Sequence, residues 1–96
     1  MPGMIKSFKS KTETAVFDGK SPKGFPSNLV KVARRKVLMI HAAINLEDLR
    51  VPPGNQLEPL FRDRSGQHSI RINDQFRVCF RWVDGSAEDV EITDYH

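Results

Sequence analysis

Hydrophobic and polar positions change their period about halfway along this chain. In the first half the repeat is helical. Leu29, Ala33, Val37, Ile40 and Ile44 recur at spacings of 4, 4, 3 and 4, an apolar stripe on a long helix that starts near Ser27. Lys31, Arg34, Arg35 and Lys36 occupy much of the remaining helix surface. Upstream, Ser10-Lys11-Thr12-Glu13 fits a capping box, with Ala15, Val16 and Phe17 behind it in a short helix that Gly19 can stop. Ile5 to Phe8 is a short strand candidate, and Lys20 to Pro26 is a loop. Asn45 to Arg50 reads as a turn, and two prolines make Val51-Pro52-Pro53-Gly54-Asn55 a loop.

In the second half the period is two. Leu57 to Phe61 is a short edge strand, Asp63 to Gly66 a turn, and His68 to Ile72 alternates. Asn73-Asp74 then turns into Phe76 to Trp82, where large apolar residues alternate with Arg77, Cys79 and Arg81. After the turn Val83-Asp84-Gly85-Ser86, a strand from Ala87 to Thr93 runs into Asp94-Tyr95-His96. Strand, helix, helix, then three or four antiparallel strands is an α+β order. It predicts both helices packed on one face of a twisted, mainly antiparallel sheet. The opposite face, carrying Ser69, Arg71, Arg77, Cys79 and Arg81, is expected to be partly open.

A chain of 96 residues holds one domain, read as residues 4–96, with Met1-Pro2-Gly3 an appended or alternative start. Nothing resembles a signal peptide, and no apolar run approaches the ~20 residues that span a membrane, so a cytoplasmic protein with no membrane partner is expected. The lone Cys79 excludes an intramolecular disulfide, and no metal-binding spacing surrounds it; no cofactor or metal is expected. The net charge of +3 is unevenly spread. Residues 1–50 carry ten Lys/Arg against four Asp/Glu, and residues 51–96 carry five against eight. A basic half suits polyanions.

Asp94, Tyr95 and His96 arrive at a sheet edge beside arginines. Acid, phenol, imidazole and guanidinium are the ingredients of proton transfer on a phosphodiester. RNA carries its own nucleophile, the 2′-OH. An enzyme then needs a base near that hydroxyl, an acid near the leaving 5′-oxygen and cations around the developing charge. His96 is the best single candidate, because an imidazole pKa of about 6.5 gives or takes a proton near neutrality. Arg77 and Glu58 are further candidates, and His68 is either a core edge or a substrate contact. From spacing alone an enzyme and a binding module both remain open.

From Met4 to His96 the chain resembles the HigB toxins of the RelE/ParE superfamily. The likeness rests on Ile5-Lys6-Ser7-Phe8, on Leu49 to Glu58 with its Pro52-Pro53-Gly54-Asn55, on Gly66 to Trp82, and on Asp94-Tyr95-His96. It implies two helices against an antiparallel sheet and a ribosome-dependent endoribonuclease that cuts mRNA in the A site. The family's catalytic arginine falls on Arg77, and its terminal acid, phenol and imidazole fall on Asp94, Tyr95 and His96. Glu58 stands where some members have histidine, and Phe61-Arg62 stands where a lysine or small residue precedes glycine. Lys31, Arg34, Arg35, Arg71, Arg81 and His68 are the expected RNA and ribosome contacts. The implied partners are a HigA-like helix-turn-helix antitoxin, the ribosome and mRNA, with operator DNA reached only through the antitoxin. The alternatives are a ParE-like gyrase inhibitor and a nuclease-weak relative acting in operator repression.

Overall fold

The computed structural model describes residues 4–94. Helix α1 spans Lys11–Phe17 and begins as its sequence dictates. The Thr12 N–H donates to Ser10 Oγ at 3.2 Å, and the Ser10 N–H donates to the Glu13 carboxylate at 3.0 Å. The other oxygen of Glu13 accepts the Ile92 N–H at 2.9 Å, so one buried carboxylate caps the helix and ties it to the sheet. Gly19, at φ +81°, turns the chain away, and its N–H donates to the Val16 carbonyl.

A 3-10 turn over Ser27–Leu29 leads into helix α2, Val30–Ala42. Ala33, Val37 and Ile40 are buried as the apolar stripe requires. Two positions depart from that stripe. The helix stops at Ala42, and Ile44 is 60% exposed while Ala43 faces inward. The Asp48 carboxylate accepts the N–H groups of both Ile44 and Asn45 at 3.0 Å and draws the chain into a 3-10 turn, Leu46–Arg50. Lys36, expected among the solvated cations, is buried instead.

Among the described residues four strands form one antiparallel sheet in the order β1-β2-β3-β4. They are β1 Glu58–Pro59, β2 Gln67–Arg71, β3 Phe76–Val83 and β4 Ser86–Asp94. Asp84 and Gly85, at φ +51° and +79°, form the two-residue turn between β3 and β4 that matches strand twist. Cys79 pairs with Glu91 but Arg81 with Glu88, so β4 bulges by one residue, with Asp89 at φ +53°. The segment before α1 runs parallel to β4 through Ile5–Ala87 and Phe8–Val90 bridges and covers its outer edge.

Both helices pack on the side carrying Ile70, Val78, Phe80 and Val90, all fully buried. Each such side chain contributes about 1.5–3 kcal/mol over an exposed one. The register pairs Ser69 with Cys79 and Arg71 with Arg77, so these four share the opposite side. That side, expected to be partly open, keeps Arg71 and Arg81 partly exposed. Ser69, Arg77 and Cys79 are buried there. Arg64 reaches across it, its Nη1 donating to Gln67 of β2 and to Glu91 of β4.

Candidate active site

Arg77 sits at the start of β3 with its side chain only 11% exposed. Its Nε donates to Ser69 Oγ at 2.8 Å, and Nη2 donates to the Gln56 carbonyl at 2.6 Å. A Glu58 oxygen stands 3.7 Å from Nη2, on a side chain 53% exposed at the rim. No described residue accepts a hydrogen bond from Nη1. The guanidinium is therefore anchored through one flank, with its charge only loosely balanced by Glu58.

The carbonyl that holds Arg77 is itself held. Gln56 adopts a left-handed conformation, φ +47°, directly after Asn55. Asn55 is fully buried: its amide donates to the Leu49 and Val51 carbonyls at 3.2 and 3.4 Å, and its Oδ1 accepts from Lys36 Nζ. Burial first, then the nearby Arg35 and Arg71 charges, lower the Lys36 pKa from its usual value. The Pro-Pro-Gly-Asn motif thus works as a clamp between α2 and the loop behind Arg77. Reading by period put Lys36 in solvent because a helix stripe says nothing of a loop that folds over it. Replacing Asn55 by alanine strands a buried ammonium and two carbonyls. The expected loss of unfolding free energy is about 3 kcal/mol, read as a lower urea midpoint at unchanged slope.

Register places Thr93 directly across from Arg77 and Asp94 across from Phe76. Strand parity puts Thr93 on the Arg77 side, where its buried Oγ1 has no hydrogen-bond partner among the described residues. Asp94 is at the same end of the sheet but on the helix side, where it accepts from Gln75 Nε2 at 3.0 Å. Tyr95 and His96, like Met1 to Gly3, lie outside the described residues.

Of the other expected contacts Arg71 lies directly across from Arg77, and the rest stand farther off. Arg71 pairs with Asp74, and Arg81 approaches Asp89 at 3.8 Å, four residues along β3 from Arg77. His68 packs on the helix side, its ring 6.4 Å from that of Phe80. Lys31, Arg34 and Arg35 line an open groove of about 290 Å³ with Leu38 on the solvent side of α2, beyond the sheet from Arg77. A cationic surface therefore lies across the outer helix, whereas on the Arg77 side Arg64, Arg71, Arg77 and Arg81 each have an acidic neighbour.

A model of the HigB-like family, described as the RelE-like toxin of the type II toxin–antitoxin system HigB, matches residues 6–96. The chain belongs to the HigB toxin family. Toxin HigB-1 from Vibrio cholerae is 41% identical over 85 residues, covering 88% of this chain and 90% of that one. Endoribonuclease HigB from Proteus vulgaris is 31% identical over 93 residues, covering 97% of this chain and 100% of the other. YafQ from E. coli shares the fold at a TM-score of 0.57 and 8% identity, covering 99% of this chain and 94% of its own. As a HigB toxin, the chain is one half of a type II toxin–antitoxin pair and has an antitoxin as partner. Among the described residues no helix is long and apolar enough to cross a membrane.

Proposed function

We propose that this HigB-family toxin is an endoribonuclease that cuts mRNA in the ribosomal A site by attack of the RNA's own 2′-OH, without a metal. The observation that carries the reading is the anchored Arg77 beside Glu58, within a family whose relative from Proteus vulgaris is named an endoribonuclease. A base removes the 2′-OH proton, the oxygen attacks phosphorus, and an acid protonates the leaving 5′-oxygen. The products are a 2′,3′-cyclic phosphate and a 5′-hydroxyl.

His96 acts as the general acid or base, with Asp94 orienting it or activating the 2′-OH. Arg77 stabilises the phosphorane, Glu58 is a secondary base, and Tyr95 stacks on or bonds to the mRNA. So few groups leave substrate positioning to the ribosome. Lys31, Arg34 and Arg35 grip ribosomal RNA from the outer helix, a contact that weakens with salt. Arg71 and Arg81 exchange their acidic neighbours for mRNA phosphates. A helix-turn-helix antitoxin silences the toxin in the cytoplasm and carries it to operator DNA.

Induction in cells, with genome-wide mapping of RNA 5′ ends, tests this reading. New ends are expected inside translated frames, and they should need phosphorylation before ligation because they carry hydroxyls. Intact mRNA with relaxed plasmids would point to gyrase instead.

A further inference from the structure

Phe61 stands 74% exposed and is the only aromatic ring so placed among the described residues. It follows β1 three residues after Glu58, about 10 Å along extended backbone. Arg62 comes next with φ +59°, a left-handed conformation that favours glycine, yet it carries a long cationic side chain there. The turn is fixed by the Arg64 N–H donating to the Phe61 carbonyl at 3.2 Å and the Ser65 N–H to the Arg62 carbonyl at 3.0 Å. Arg64, anchored on Glu91 and Gln67, holds the base of this turn against the sheet.

A protein-docking patch needs contiguous apolar surface. Here the flanking Leu57 and Leu60 are half-buried, and Arg62 and Asp63 are exposed. One exposed ring with a cation beside it, three residues from the Glu58 that neighbours Arg77, fits a nucleobase on the ring and its phosphate on the Arg62 guanidinium.

Resting on the nuclease reading above, we infer that Phe61 is a stacking platform for a base of the substrate mRNA next to the cleaved bond, with Arg62 contacting that nucleotide's phosphate. The pair sets which codon is cut. Stacking tolerates any base, but purines cover the ring more fully, so Phe61 favours a purine at its position.

The test is single-turnover cleavage of mRNAs on purified ribosomes, differing at one A-site base at a time, by the wild type, Phe61→Ala, Phe61→Leu and Phe61→Trp. Thermal denaturation of each variant checks the fold, which a side chain this exposed leaves unchanged. Loss of the ring in the alanine and leucine variants should lower kcat/KM by roughly 5- to 150-fold, the range of one base–aromatic stack. The loss should fall mainly in KM and should flatten the base preference, while tryptophan retains both. Wild-type rates in the alanine variant overturn the inference, as does full activity in the leucine variant. Unchanged cleavage with weakened binding of the cognate antitoxin overturns it in favour of a protein contact. If the wild type itself leaves ribosome-bound mRNA intact, the nuclease reading fails first.

Discussion

Replacing Arg77 by lysine is expected to slow mRNA cleavage about 10²- to 10³-fold while the protein stays folded. The fork of Arg77 spends Nε on Ser69 and Nη2 on Gln56, which leaves Nη1 for a phosphoryl oxygen. Lysine keeps the charge, but its three N–H groups share one nitrogen on a flexible stem. None of them is held at the fixed angle at which the fork presents Nη1. Ser69→Ala is the companion variant. It releases one anchor and leaves the charge in place, so its loss should be several-fold at most. Circular dichroism and the urea midpoint check the fold, and cleavage on programmed ribosomes reads the rate. A lysine variant of wild-type rate would make Arg77 a brace for the loop over residues 53–56 and nothing more.

Replacing His96 by glutamine carries the second large effect, a loss of about 10²- to 10⁴-fold in the cleavage step with little change in ribosome binding. Glutamine has similar size and hydrogen-bonding capacity but transfers no proton near neutrality. Asp94→Asn should cost less, because in the proposed mechanism Asp94 works through the imidazole or shares the base role with Glu58. A double variant of Asp94 and Glu58 separates these options. If its loss exceeds the product of the two single losses, the two carboxylates substitute for one another. Rapid cleavage by the glutamine variant would move proton transfer to Glu58 and Asp94.

The architecture was legible because local signals agreed with one another. Ser10 and Glu13 mark a helix start by chemistry alone, and Asp84-Gly85 marks a hairpin by backbone conformation. Alternation from Phe76 to Trp82 assigned each side chain to the correct side of the sheet. Parity does not say what lies above a face. The burial of Arg77 is not legible, because nothing in a period of two reveals that Arg64 folds across that face, or that Gln56 turns left-handed to cap Arg77. The helical period misplaces Lys36 for the same reason, since its partner Asn55 comes nineteen residues later in a loop. Ile44 continued the stripe on paper, but Asp48 had already ended the helix.

The candidate site divides along similar lines. Residue chemistry singled out Arg77 and Glu58, and the fold brings them within 3.7 Å. It left His68 open between core and substrate, and the ring is packed beside Phe80. Alternation puts Ser69 on the correct face but gives it no role, and Gln56 and Thr93 carry no signal, because a serine, a glutamine carbonyl and a threonine in a strand say nothing without a register. In the sequence Phe61 closes an edge strand, and with Arg62 it stands out only as a departure from a family pattern. Their exposure and the positive φ of Arg62 make them a candidate contact.

The most direct measurement of the central claim is primer extension on a short mRNA incubated with purified toxin, with and without ribosomes paused at a known codon. The expected result is a strong stop within the A-site codon when ribosomes are present, moving along the message as the paused codon is moved, and little cleavage of the free RNA. Equal cutting of free and ribosome-bound mRNA, or no cutting of either, would contradict it.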